Sequence, residues 1–209
     1  MEHMRFSDEI LGLEGTRVTL ARAISRLTPA PLINLYVGLI MSFLPPKSLG
    51  PVLNGFSSIL ICIVFMVILP VAPIMFSAWR GKIDLDVSAR RMRPRFLLFA
   101  MMCYSLAYVV YWWTLCDVMR VLAAAYFTVT SGVLIGTLVT KISVHGAGVG
   151  GPGTALIYVY GPVALLIIVV WIAVVWSRTE LRQHTMLQTV GGVVLAILIT
   201  WLTYLWLYI

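Results

Sequence analysis

The sequence predicts an all-α integral membrane protein, a bundle of six to seven transmembrane helices preceded by an amphipathic amino-terminal segment. Three observations predict it. Of 209 residues, 61% are hydrophobic and 11% charged, with a mean hydropathy of +0.98; soluble domains average about 45–50% apolar. Several apolar stretches run to 18 residues or more, enough to cross a hydrocarbon core of roughly 30 Å as a helix. None of them alternates with period two, so helices rather than a barrel are expected to satisfy the backbone in lipid. No polar segment is long enough for a separate soluble domain, so residues 29–209 read as one polytopic membrane domain, multi-pass and at home in a cell membrane.

Residues 1–28 open with "MEHMRFSDEILGLEGTRVTLARAISRL". Acidic residues and the lack of a continuous apolar core argue against a signal peptide. Ser7 is placed to cap a helix, with Asp8 and Glu9 in its first turn and Arg17, Arg22 and Arg26 later. Ile10, Leu13, Val18, Ala21 and Ile24 recur at loose helical spacing, which predicts a segment lying on the membrane surface. The spans expected after it are 31–44, closed by Pro45-Pro46, and 52–79. The charged stretch "RGKIDLDVSARRMRPR" follows at 80–95, then spans at 96–114 and 118–140.

Residues 154–176 allow either one 23-residue span or two helices that turn at Gly161-Pro162. Gly-Pro is a strong punctuator and Pro suits a first helical turn, so we read two, 143–160 and 162–177. Gly146 and Gly150, like Ala147 and Gly151, stand four apart, as close helix contacts require. "GAGVGGPG" lacks the Lys-Ser/Thr ending of a phosphate-binding loop and reads as packing. The last span is 185–209, whose "WLTYLWLY" suits an interfacial belt.

With seven spans, 80–95, 141–145 and 177–184 open on one side. Thirteen of the fifteen Lys and Arg then share the side of the amino-terminal segment, leaving Lys47 and Arg120 opposite. The positive-inside rule describes such asymmetry. It also accounts for the pI of about 9.6, through anionic headgroups rather than nucleic acid. Cys62, Cys103 and Cys116 have no paired spacing and read as small hydrophobes.

The three loops together predict an anion site. Arg93, Lys141 and Arg178 supply cationic donors. Ser143 adds a hydroxyl, and a helix beginning near His145 adds backbone amides. His145 and His184 are the only histidines besides His3. Imidazole titrates near neutrality, so one can attack phosphorus while the other protonates the departing oxygen.

The spacing resembles the type 2 phosphatidic acid phosphatase (PAP2) family over residues 82–192. "SRTELRQH" fits that family's Ser-Arg, five residues, His signature. "ISVH" stands where it has Pro-Ser-Gly-His, and "RMRP" ends in the Arg93-Pro94 that closes its first signature. The resemblance implies a cofactor- and metal-independent lipid phosphatase, a phosphoric monoester or acid anhydride hydrolase acting on an isoprenoid or glycerolipid. His184 would form the phosphohistidine and His145 serve as general acid, with Arg93, Arg178, Lys141 and Ser143 holding the phosphoryl oxygens. The sequence departs from the pattern at Asp86, where the family has Lys; Lys82 and Arg90 are candidate substitutes. Ile142 and Val144 replace the family's Pro and Gly. Gln188 replaces the Asp four residues after the nucleophile; on a helix it shares a face with His184 and can still fix its tautomer.

A catalytically weak PAP2-like protein that binds phosphorylated lipid is the alternative. A third reading starts from "DLDVSARRMRP", which is similar to the second Asp-rich segment of UbiA-type prenyltransferases. Those need two such segments to clamp diphosphate through Mg²⁺, and only one candidate exists here. The partners expected are a phosphorylated membrane lipid and the bilayer; self-assembly is left open.

Overall fold

A computed structural model describes residues 6–208, and every regular element among them is helical. The amino-terminal segment splits into a single turn, α1 (Ser7–Ile10), and α2 (Thr16–Leu27). Asp8 is buried and paired with Arg22 Nε at 2.6 Å. Of the expected apolar stripe, Ala21 is buried and Leu13, Val18 and Ile24 are half-buried. Ile10 is exposed, while Ala21 and Ser25 are the buried residues of α2. Small side chains matter there because Ser177 Oγ, on a helix described below, donates to the carbonyl of Ala21 at 2.7 Å. α2 is therefore a packed element of the bundle.

Pro29 and Pro31 bracket the junction with α3 (Ala30–Phe43), which departs from α2 at 53°. α4 (Gly55–Cys62), capped by Asn54 on the Ser57 amide at 2.9 Å, runs through a π-helical turn, Ile63–Ile68, into α5 (Leu69–Trp79). Pro70 has no N–H for the carbonyl of Met66 four residues earlier. Asn34 Nδ2 on α3 donates to that carbonyl instead, at 2.8 Å. α6 (Arg93–Trp113) and α7 (Asp117–Val139) form a tight hairpin through Leu115, at φ 58°.

α8 (Val144–Tyr160) leads through a 3₁₀ stretch, Gly161–Leu166, into α9 (Ile167–Glu180), and α10 (Met186–Leu207) closes the chain. Residues 144–180 are nearly continuous helix, yet Trp171 Nε1 on α9 donates to Val149 O on α8 at 2.8 Å. On a straight helix those residues would stand about 33 Å apart. The chain folds back at Gly161, whose φ of +67° a residue with a Cβ rarely adopts. α8 lies closest to α10, where a Cβ on Gly150 would stand 2.7 Å from Val193 O and one on Gly146 2.6 Å from Thr189 O.

Among the described residues, five helical stretches are long and apolar enough to cross a membrane: Gly55–Trp79, Arg90–Trp113, Asp117–Val139, Val144–Glu180 and Met186–Leu207. The bent α2–α3 pair makes a sixth if taken as one span. Leu166, Leu187 and Trp113 are among many large apolar side chains left exposed, as lipid-facing positions require. At one end of the bundle Tyr160 Oη donates to Leu44 O at 2.7 Å, and Lys47 Nζ sits 4.7 Å from the Tyr208 ring. α2 and the segments 80–95, 141–145 and 177–184 gather at the other.

A candidate histidine–arginine site at the charged end

The site is assembled largely by main-chain carbonyls. Asp84 organises the 80–89 loop, accepting from the amides of Asp86 and Ser88 and from Ser88 Oγ, the closest at 2.9 Å. These bonds bend the chain so sharply that Val87 takes φ 48°, an uncommon conformation for a β-branched residue. Arg93, 4% exposed, pins that loop: Nε donates to Val87 O and Nη1 to Ile142 O, both at 2.9 Å. One guanidinium thus ties the first loop to the second.

The second and third loops are tied by α10. Ser143 caps α8, its Oγ accepting from the Gly146 amide at 3.1 Å, while its own N–H donates to Gln188 O at 3.2 Å. Lys141 Nζ donates to Gln183 O at 3.3 Å. His184 Nδ1 lies 3.1 Å from Lys141 O and 3.3 Å from Gln188 Oε1. Both neighbours are acceptors, so Nδ1 carries the proton and Nε2 keeps its lone pair. Gln188 Oε1 also accepts from the Thr185 amide at 3.2 Å, which fixes the side-chain amide with its oxygen toward the imidazole. Burial, then the charges of Arg93, Arg178 and Lys141, push His184 down to about 3, so the ring is neutral at pH 7. Burial and Arg93 likewise lower Lys141.

Arg178 is 2% exposed and already partnered. Nη1 donates to Ser25 Oγ at 2.8 Å and Nη2 to Asp86 Oδ1 at 3.1 Å. Asp86 also accepts from the Ser7 amide at 3.1 Å, and Ser7 Oγ bonds Gln183 Oε1. Burial acts to raise the Asp86 carboxyl, but Arg178, His145 and the Ser7 amide outweigh it and hold it below the usual carboxylate range. His145, one residue into α8, lies within electrostatic reach of Asp86, Arg178, His184 and Arg93, and its ring has no hydrogen-bond partner among the described residues.

The predicted set therefore divides. His184, His145, Gln188, Arg93, Lys141, Ser143 and Arg178 converge, although Ser143 serves as a helix cap and Arg178 is matched by Asp86. Two expected donors are not brought in. Arg90 binds the carbonyls that end α7, Thr137 O at 2.5 Å and Leu138 O, where a cation meets the helix dipole. Lys82 is exposed and makes no side-chain bond among the described residues. Asp84 spends its oxygens on its own loop, and no group of three or more His, Cys, Asp or Glu converges among the described residues. His3 lies outside them. Ser7, expected as a helix cap, is instead the first residue of α1, with Phe6 at the cap position, and its hydroxyl bonds Gln183 and Asp86; nothing in the local spacing of Ser7, Ser25 or Gln183 marks partners on distant segments.

A cavity of about 460 Å³ opens beside this cluster. His145, Arg93 and Asp86 line one end and Asn34, Tyr104 and Tyr126 the other, with apolar side chains of α3, α5, α6, α7 and α8 between. The long apolar helices suit a helical membrane protein, and the charged cluster and apolar chamber put an ionisable site at one end of the bundle. Comparison with protein-family models, curated proteins and solved structures finds no match to this chain.

Proposed function

We propose that the protein is a multi-pass membrane phosphatase of a lipid phosphate or diphosphate, crossing the bilayer seven times by counting α3 and both arms of the α8–α9 hairpin. The observation that carries the reading is the hydrogen bonding of His184. With Nδ1–H held by Lys141 O and Gln188 Oε1, the ring is a neutral nucleophile with Nε2 available. Nε2 attacks phosphorus, the bond from phosphorus to the lipid oxygen breaks, and His145, as the imidazolium that a bound phosphate anion favours, gives that oxygen a proton. Water then attacks the phosphohistidine, its proton passes to His145, and phosphate leaves with His184 restored. Arg93 and Lys141 face the developing charge; Arg178 joins them where the phosphoryl group displaces Asp86. Purified protein is expected to release phosphate from phosphatidic acid or a polyprenyl diphosphate, and His184→Ala to lose at least ~10³ of that rate. Full activity in both His184→Ala and His145→Ala would remove the mechanism.

The Asp86–Arg178 pair favours a second reading, a lipid-phosphate binder with weak or no turnover. Gln188 points the same way, because an amide orients an imidazole without stabilising its cation; the acid-to-amide change in serine proteases costs about 10⁴ in turnover. Gln188→Asp separates the two. A gain of roughly 10²-fold or more marks a weakened enzyme, and no turnover in either form, with phosphatidic acid still bound, marks a binder.

A further inference from the structure

The cavity has a length, a volume and a floor, and all three constrain what it holds. Arg93 and Tyr104 stand at its two ends on the same helix, eleven residues and therefore about 16 Å apart. That is close to half of a hydrocarbon core of ~30 Å, so the chamber reaches from the charged end to the bilayer midplane and stops. The floor is built. Asn34 Nδ2 bridges Met66 O at 2.8 Å and Tyr104 Oη at 3.4 Å. Tyr104 packs edge-on against Tyr126 with ring centroids 5.6 Å apart. The buried Tyr126 hydroxyl has no hydrogen-bond partner among the described residues. Hydroxyls and an amide make a poor surface for hydrocarbon to run past, so an apolar chain ends there.

We infer that this cavity holds a single, medium-length lipid tail, with the phosphate of that lipid at His145 and Arg93. The inference rests on the phosphatase reading for its head end only. An extended chain advances ~1.2 Å per bond, as the reach of a polypeptide backbone shows, so 16 Å takes ~13 bonds. The 460 Å³ volume holds ~15 groups the size of a water molecule, which a methylene approximates. Length and volume thus agree on one chain, of the size of a farnesyl or a myristyl group. The two long tails of an ordinary glycerophospholipid would need about twice that room. The tail passes in beside α3 and α5, where Asn34 on α3 donates to Met66 O in the π turn that leads into α5. Pro29 and Pro31 at the start of α3 and Pro70 in α5 line the cavity.

The test compares single-chain monophosphates of graded length (geranyl, farnesyl, geranylgeranyl) with dioleoyl phosphatidic acid, all in the same detergent micelles. Phosphate release and lipid retention by native mass spectrometry are both read on the purified full chain. Farnesyl phosphate is expected to be preferred over dioleoyl phosphatidic acid by at least tenfold. Tyr104→Ala, which lowers the floor, is expected to move the preference toward geranylgeranyl, and Ala100→Leu on the wall to move it toward geranyl. Misfolding cannot produce shifts of opposite sign. Equal use of one- and two-tailed lipids, or no shift in either variant, overturns the inference while leaving the phosphatase reading in place. Retention with the expected length preference but no phosphate release supports the tail site and sinks the phosphatase. Absence of both retention and release overturns the inference as well.

Discussion

Asp86 and Arg178 meet at 3.1 Å with side chains 3% exposed on each side. A pair so deeply buried contributes little net stability against an apolar replacement, yet losing one partner strands the other's charge. Asp86→Asn is therefore expected to cost about 3–5 kcal/mol, measured as a fall in the unfolding midpoint in detergent. Adding Arg178→Met to it should recover most of the loss. An unaltered midpoint in Asp86→Asn would mean the pair is not formed. His184 carries a pH signature of its own. Its unfolded imidazole takes up a proton near pH 6.5, whereas in the fold it does so only at about 3. The unfolded state binds more protons between those values, so this contribution is present above pH 6.5 and is lost as pH falls toward 3. Stability should decline on acidification from pH 6.5, and His184→Gln should decline less steeply over pH 6.5–4.5; an identical slope would place the ring in water. Motif spacing made the two histidines, Arg93 and Gln188 legible, and a cation in the loop beside a span end did so for Lys141. Ser7, Ser25 and Gln183 were not, since hydrogen bonds such as Ser7–Gln183 join residues 176 apart and leave no local pattern.

Between residue and molecule stand the joints that aim the helices. The fold-back at Gly161 was readable because Gly-Pro carries its own backbone chemistry. Replacing Gly161 by Ala at φ +67° is expected to cost about 1–3 kcal/mol, again read from the unfolding midpoint. The four-residue glycine spacing announced a close contact but not its partner. The structure supplies α10, whose Val193 O leaves a side chain at Gly150 only 2.7 Å. Gly150→Val should destabilise by about 1–3 kcal/mol, as overpacking does, and also lower phosphate release, because Ser143 and Gln188 bond across the same contact. A variant as active and stable as the parent would show that the helices need not touch there. The π turn escaped the sequence reading for a physical reason. Pro70 frees the Met66 carbonyl, but only an Asn on a separate helix reveals that something receives it.

For the molecule entire, alternation of the helices separates the charges. The uneven spread of Lys and Arg already implied one charged end, and the structure gathers 80–95, 141–145 and 177–184 there, whereas Lys47 sits at the far end by Tyr208. Cys62, Cys103 and Cys116 are buried, so cysteines introduced singly at positions 47 and 182 report without background. A membrane-impermeant maleimide applied to intact cells should label one and not the other; labelling of both from the same side would refute seven crossings. Length and hydropathy could not settle the number of crossings, since α3 has 14 residues and the 37-residue run 144–180 passes for one long span. The Ser143–Gln188 link carries a consequence for biosynthesis. His184 receives its orientation from Lys141 and from Gln188, and Gln188 belongs to the final helix. Until that helix has been synthesised and packed, His184 lacks one of the two acceptors that hold its Nδ1–H, and its tautomer rests on Lys141 O alone.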